Sequence, residues 1–574
     1  MSVAHPTPSV AGRFGFDINR CMVFDVECYP GRWLVGFLTV DAAGKAIHFV
    51  VENDPQKLAD VLERIAAHDR TLVGYNSNDY DKVMLLAIVR GYDAYEINLA
   101  LIEKTALPAD LDRRQTPLVL PCDHIDLAAR LRRGGSIPSL KLTAARLGRP
   151  RLQELPFPPG ESLDDEQWNV VKEYNLVDLK HTWSLLGVLT PELESLSELS
   201  REQDRDLRST PTPKVCELVL TGAFEDATGH RPVRIEPPEA VTYTPVAGVR
   251  RPTTTQAAEW YDLLTTTTIP IIGPEERRTV VVPKVVVEIA GRKYKLGSGG
   301  LHSIDAAQVY YRTKRYGLVS IDVASYYPSL ISKKGISPWP LGEVGLDTYR
   351  GILGRRLDLK RRAAEASDPE ERRRLDVQSA ALKLIQNSYF GKFGDSWSVL
   401  YDPEAMLRVT ISGQLMLIDL IERVTAAGIE VLTANTDGLV LRVRRSEKAE
   451  KRLARILRGW QDDTELLLEI EDLQRLATLA TNQYAVLSAR HKIKRKGSKL
   501  KGDLSPLTTP NALVVNDAVV DALLRDIPPE RTIRGCRDLV RFCSITTRSG
   551  KCDSLVIRDP SGVEVDAGKV QGQR

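Results

Sequence analysis

Between residues 21 and 189, apolar strand-like runs alternate with amphipathic helical ones, and that alternation restricts the segment to an α/β architecture. Residues 21–26 and 33–40 read as β-rich runs joined by the turn Tyr29-Pro30-Gly31-Arg32. A helical pattern follows at 57–67, a strand at 71–75, and further helical patterns at 82–90, 139–147 and 164–189. In the first strand Asp25 and Glu27 stand two positions apart, so both carboxylates leave the same face. Two hard oxygen donors on a strand edge suit Mg²⁺ or Mn²⁺. Two solvated carboxylates would give the same pattern, but further acidic segments follow. These are Asn76-Ser77-Asn78-Asp79-Tyr80-Asp81, after the next strand, and Tyr174-Asn175-Leu176-Val177-Asp178, on a later helix.

A second pattern starts at residue 316. The apolar strand at 317–323 brings Asp322 to the point where a buried strand emerges into a turn, a place that costs free energy unless the carboxylate is solvated or coordinated. Helices are expected at 348–366, 369–389 and 412–427, and strands at 430–434 and 439–443 on either side of Asp437. The stretch 191–300 mixes a charged helix-like segment with Pro-rich and Thr-rich loops and reads as a connection with some strands. The run Arg490-His491-Lys492-Ile493-Lys494-Arg495-Lys496-Gly497 holds no acidic residue.

A chain of 574 residues exceeds what one hydrophobic core can fill, so two to four domains are expected. A hydrophobic fraction of 43% and a charged fraction of 27% exclude a disordered chain. No apolar run reaches the roughly 18 to 20 residues of a membrane span, and residues 1–19 lack the apolar core of a signal peptide. The expectation is a cytoplasmic protein with no membrane partner. Seven scattered cysteines without a CxxC suit a reducing compartment, and the spacing of Cys536, Cys543 and Cys552 fits a zinc site poorly. A net charge of +3 implies no polyanion partner by itself, so an argument for nucleic acid must rest on where the charges lie.

Asp25, Glu27, Asp81 and Asp178 resemble the four carboxylates of the DEDD superfamily of 3′–5′ exonucleases, with Tyr174 four residues before the last acid as in its tyrosine-bearing branch. The resemblance implies that the acids hold two metals, that Tyr174 orients the attacking water, and that Asn76 helps hold the substrate strand. It favours Asp81 over its neighbour Asp79. His181 lies one turn past Asp178, the wrong place for a histidine base, and reads as a surface or core histidine. A half-buried structural tyrosine is the alternative for Tyr174.

The segment Asp322-Val323-Ala324-Ser325-Tyr326-Tyr327-Pro328-Ser329 resembles motif A of family B DNA polymerases, with Tyr326 in place of Leu. Lys383 to Gly391 resembles motif B, with Phe390 for Tyr, and Asn435-Thr436-Asp437 resembles motif C, with Asn435 for Asp. All three occur in the family's order. The resemblance implies that Asp322 and Asp437, with Val323, hold two Mg²⁺ ions, for which Mn²⁺ is a possible substitute. Lys383 and Asn387, four apart on one helix face, would contact the incoming nucleotide together with Ser325, Tyr326 and Tyr327. Tyr327 occupies the family's steric-gate position; a tyrosine packed beneath the sheet is the alternative. Arg356 and Lys360 are candidates for further triphosphate contacts, although Arg355, Arg361 and Arg362 are equally basic. Lys492, Lys494 and Lys496 resemble a basic element that contacts primer-template phosphates, and Gly391, Gly299 and Gly300 are candidate DNA contacts, a simple turn being the alternative for the glycine pair.

The resemblance implies an α/β multidomain protein: an RNase H-like 3′–5′ exonuclease domain, then a right-hand polymerase with palm, helical fingers and a small thumb. The expected boundaries are a flexible leader at 1–19, exonuclease at 20–190, and a connecting region with the start of the palm at 191–300. Palm with motif A follows at 301–347, fingers at 348–395, palm with motif C at 396–489, and basic element and thumb at 490–574. The implied function is template-directed DNA synthesis with proofreading, in phage or mobile-element replication. The implied partners are primer-template DNA, dNTPs and other replication proteins, acting on a monomer. The alternatives are a DNA-binding exonuclease with a weak or inactive palm, and a non-catalytic replisome scaffold. Asp322 and Lys383 are only 61 positions apart, which argues against the insertion that protein-primed members carry there.

Overall fold

The computed structural model describes residues 13–41, 43–133, 135–149, 152–274, 278–545, 556–558 and 564–566. Most of the expected leader, Cys552 and much of the expected thumb's end lie outside the described residues. The chain divides into two compact units, one built from 1–210 with 503–512 and 538–574, the other from 211–502 with 513–537.

The first unit is built on a five-stranded sheet. Strands Cys21–Tyr29, Arg32–Val40 and Ala46–Glu52 form an antiparallel meander, and Thr71–Gly74 and Asp123–Asp126 add parallel to the other edge of the first strand. The period-two alternation of Cys21–Tyr29 decides what faces what. Met22, Phe24 and Val26 pack on one side, in one core with residues of Pro55–Ala67 and Asp81–Val89. Cys21 and Val23 pack on the other, in one core with Leu179, Leu185 and Leu186 of the helix Asp165–Glu202. Asp25 and Glu27 continue that second face toward the same helix.

The helix Asp165–Glu202 opens on a capping box between Asp164 and Gln167. Its expected end at 189 is corrected: it continues through Pro191. A proline inside a helix costs about 3 kcal/mol or more. Leu185, Leu189, Leu193, Leu196 and Leu199 are all buried along the continuing helix and offset that cost. The first unit therefore takes in residues 191–210, which the sequence assigned to a connection.

The second unit centres on an antiparallel sheet in the order Glu430–Asn435, Gly438–Arg444, Tyr316–Val323, Leu468–Ala480, Gln483–Ser488 and Ile493–Lys496, with Gln308–Tyr311 also paired to Leu468–Ala480. Pro403–Ala426 is buried along most of its length, with Trp460 of Glu447–Thr464 donating its indole N–H to the Met416 carbonyl. A hairpin of two long helices, Gly342–Glu365 and Pro369–Phe393, leaves the sheet after the turn at Asp322 and returns before Pro403. Thr212–Thr228 packs against both helices of the hairpin. That helix belongs to the second unit and is more than a linker. The expectation of one module at 490–574 is also corrected. Ile493–Lys496 is a sheet-edge strand and Leu513–Arg525 packs by Leu468–Ala480, while 503–512 and 538–574 belong to the first unit.

Candidate active sites

In the first unit four carboxylates gather from three elements. Asp25 and Glu27 come from the first strand, Asp81 begins the helix Asp81–Val89 and accepts the Val26 N–H at 3.1 Å, and Asp178 comes from the long helix. Asp79 stays outside, ion-paired with Arg113. Asn175 donates to Asp25 Oδ2 at 2.8 Å and to its carbonyl at 3.2 Å, a contact that sequence reasoning missed. It fits because residue 36, across from Asp25 on the neighbouring strand, is glycine. A Cβ there would fall 1.8 Å from Asn175 Oδ1. Tyr174 is buried with its hydroxyl on Asp178, and Lys141, a second missed residue, stands 5.2 Å from the centre of its ring. Asn76 takes a left-handed backbone (φ 59°), held by its N–H to Asp126, which also accepts from Asn78 and Ala128. His181 is buried, 3.7 Å from Asp178.

Burial, then the neighbouring carboxylates, hold Asp25 and Glu27 well above the ordinary carboxylate range, and burial pushes Asp81 up to about 7. Among the described residues no three His, Cys, Asp or Glu side chains form a ready-made metal cage. The donor set nevertheless fits divalent cations: Lys141 offsets the charge at Glu27 less than Asp178 and Asp81 add to it, and Asp178 Oδ1 is buried without a hydrogen-bond donor. The pH dependence follows. A carboxyl raised in the folded state contributes stability that is present below its unfolded value, roughly 4, and lost as pH rises through the folded value, about 7 for Asp81. Chelated protein is therefore expected to lose thermal midpoint across that window. Added Mg²⁺ should restore it at pH 8 and have little effect at pH 5. Scanning calorimetry with and without Mg²⁺ checks this; equal midpoints at pH 8 would speak against a cation site.

In the second unit Asp322 ends the central strand, paired across to Gly438 on one side and Glu469 on the other. Asp437 sits in the tight turn between Asn435 and Gly438, and its carbonyl accepts the Val323 N–H at 2.7 Å, so one backbone bond ties the two carboxylate-bearing turns together. Burial raises the Asp322 carboxyl, the charge of Asp437 adds to this, and Lys494 partly offsets it. Lys494 already pairs with Glu471 at 2.6 Å, which leaves the carboxylates in excess and again suits a divalent cation. Glu469 and Glu471 face the same side of the sheet and were missed, although their spacing repeats that of Asp25 and Glu27. Asn435 is buried beside Tyr484 and His302, and Gly300 lies against Thr436, where a Cβ would come within 2.4 Å of its hydroxyl. The neighbouring Gly299 has open space around it.

Ser325 has a left-handed backbone (φ 47°) just before the helix Tyr326–Lys333. The two tyrosines then part. Tyr326 is buried and donates its hydroxyl to the Gly413 carbonyl at 2.6 Å, which corrects its place among side chains expected to meet a nucleotide. Tyr327 is only partly covered, with the Phe390 ring centred 4.7 Å away. Lys383, Asn387 and Gly391 lie exposed at four-residue spacing on Pro369–Phe393. Arg356 bridges the hairpin to Gln386 at 2.7 Å, and Lys360 is exposed. Lys492 and Lys494 are exposed and Lys496 is half-buried, while Arg495 turns to Asp517.

Residues 347–488 match the family model described as DNA polymerase family B. This segment belongs to that family. It contains Lys383, Asn387, Gly391 and Asp437 and begins after Asp322. DNA polymerase 1 of Pyrococcus abyssi is 32% identical over 146 residues, 21% of this chain and 19% of that protein. The DNA polymerase of Thermococcus sp. (strain 9oN-7) is 26% identical over 259 residues, 40% of this chain and 32% of the relative. The alignments thus span about a fifth to a third of these relatives' own length. The solved family B DNA polymerase from the archaeon Pyrobaculum calidifontis aligns at 18% identity and a TM-score of 0.45, over 90% of this chain and 65% of the other. Among the described residues no helix is long and apolar enough to cross a membrane.

Proposed function

We propose that the protein is a template-directed DNA polymerase that adds dNMPs to a primer 3′-hydroxyl and carries a 3′–5′ proofreading exonuclease. The observation that carries the first part is the antiparallel sheet that presents Asp322 and Asp437 side by side, in a chain whose residues 347–488 belong to family B. In this reading the first unit is an RNase H-like exonuclease domain, the sheet is the palm, the helix hairpin the fingers, and Leu513–Arg525 part of a small thumb. Mg²⁺, or Mn²⁺ in its place, supplies charge neutralisation and a more acidic hydroxyl or water when held by the carboxylates.

The chain's own residues do the rest. Lys383, Asn387 and Lys360 bind the triphosphate from the exposed helix faces, with Arg356 at the hairpin's bridge. Tyr327 supports the sugar and leaves no room for a 2′-hydroxyl. The backbone of Val323 and Ser325 shapes the turn beneath it. Lys492, Lys494 and Lys496 meet primer-template phosphates, as Gly299, Gly300 and Gly391 meet the strand through bare backbone. In the first unit Tyr174 orients water toward the scissile phosphate, Asn175 holds Asp25, and Asn76 holds the strand. A phage or mobile-element setting rests on resemblance to the compact subgroup of the family, whereas the relatives named above are archaeal.

A 5′-labelled primer annealed to a longer template tests both halves in one tube. With Mg²⁺ alone the primer should shorten; with dNTPs added it should lengthen. Lengthening without shortening removes the exonuclease, shortening without lengthening leaves a DNA-binding nuclease, and neither leaves a scaffold. Gly36→Ala is expected to displace Asn175 from Asp25 and to slow single-strand degradation by about 10- to 100-fold, measured as release of labelled nucleotide, with extension unchanged.

A further inference from the structure

Glu217 lies in none of the motifs, yet it is a buried carboxylate on Thr212–Thr228, with 3% of its side chain exposed. Its Oε2 accepts from Ser398 Oγ at 2.7 Å and stands 3.3 Å from the ammonium of Lys392, which is itself only 7% exposed. Lys214 closes on the other oxygen, and Lys392 also reaches Asp395 at 2.7 Å. Two ammonium groups and two carboxylates therefore balance. Burial pushes the Glu217 carboxyl up, but the bonds from Lys214 and Ser398 and the charge of Lys392 hold it below the ordinary range.

A buried ion pair is a poor source of stability, because desolvation offsets most of its attraction and an apolar pair of similar volume often does as well. What it does fix is relative position, since losing register leaves a charge buried and unpaired. The position fixed here is the last turn of Pro369–Phe393, the helix that presents Lys383 and Asn387. That turn also carries Phe390, whose ring backs Tyr327, and Phe393, which stacks edge-on against Tyr389. On the far side Ser398 anchors the following loop through the Leu400 N–H.

We infer that Glu217 is a positioning residue for nucleotide selection: by holding Lys392 and Ser398 it sets the last turn of the Lys383–Asn387 helix and hence the seat of Tyr327. The inference rests on the polymerase reading above. Single-nucleotide incorporation tests it. Glu217→Gln is expected to raise KM for the incoming dNTP about tenfold with kcat within about twofold, and to lower the preference for dNTP over rNTP about tenfold. Glu217→Asp should recover most of both, and single-strand degradation should not change. If Glu217→Gln does not fold, Glu217→Met with Lys392→Met keeps the volume without the charges and should show the same rise in KM. Wild-type KM and wild-type sugar preference in a folded variant, or a fall in kcat alone, would overturn the inference while leaving the polymerase reading intact. No incorporation by the unaltered protein would overturn both.

Discussion

Asp437→Ala is expected to abolish primer extension, with a loss of about a thousandfold or more, while single-strand degradation continues at its original rate. Asp437 is alone in its turn. The residue two positions before it is Asn435, a neutral amide buried beside Tyr484 and His302, so no carboxylate in the turn can substitute. Glu469 is paired with Asp322 on the strand opposite to the one that leads into this turn, and Glu471 is occupied by Lys494. Removing Asp437 also relieves its repulsion of Asp322, so the variant should fold at least as well as the parent. Gel-resolved extension in Mg²⁺ and again in Mn²⁺ checks this. Extension within about tenfold of wild type would mean that this carboxylate does not carry the chemistry.

The double change Asp25→Ala with Glu27→Ala should have the opposite profile: degradation of labelled single-stranded DNA reduced by about a thousandfold or more, with extension retained. Both side chains are half-buried, Glu27 repels Asp25, and Asp81 and Asp178 repel both. Such a cluster is costly in the metal-free fold, so its removal is expected to raise the thermal midpoint at pH 8 in chelator. A stabilised protein that has lost one activity separates function from folding. Degradation that persists in this variant would place the nuclease elsewhere in the molecule.

The strand-borne part of both sites was legible in the sequence because side-chain alternation is strict: Asp25 and Glu27 share a face wherever the strand goes, and Asp322 ends an apolar run that can only be a buried strand. The same rule applied to Glu469 and Glu471 would have found them. Asn175 and Lys141 were not legible, because their contributions exist only across elements. Asn175 matters through a glycine 139 positions earlier in the chain, and Lys141 through a ring on another helix. Tyr326 and Tyr327 are indistinguishable by type. Only the start of the helix Tyr326–Lys333 turns the first beneath Pro403–Ala426 and leaves the second near Phe390. The helix's continuation past 189 was not legible, because the burial of the leucines on either side of Pro191 exists only in the fold. The boundary at 490 misled because the chain after Gly502 alternates between the two units, a pattern with no compositional mark.

The most direct test of the central claim is incorporation of a single nucleotide opposite a chosen template base, with each of the four dNTPs supplied alone to the purified protein, Mg²⁺ and a primed template. Extension by one residue is expected with the complementary dNTP, at least about a hundredfold faster than with the other three, and none in Asp322→Ala or Asp437→Ala. Absence of extension in both Mg²⁺ and Mn²⁺, or extension that is the same for all four dNTPs whatever the template base, would contradict that claim.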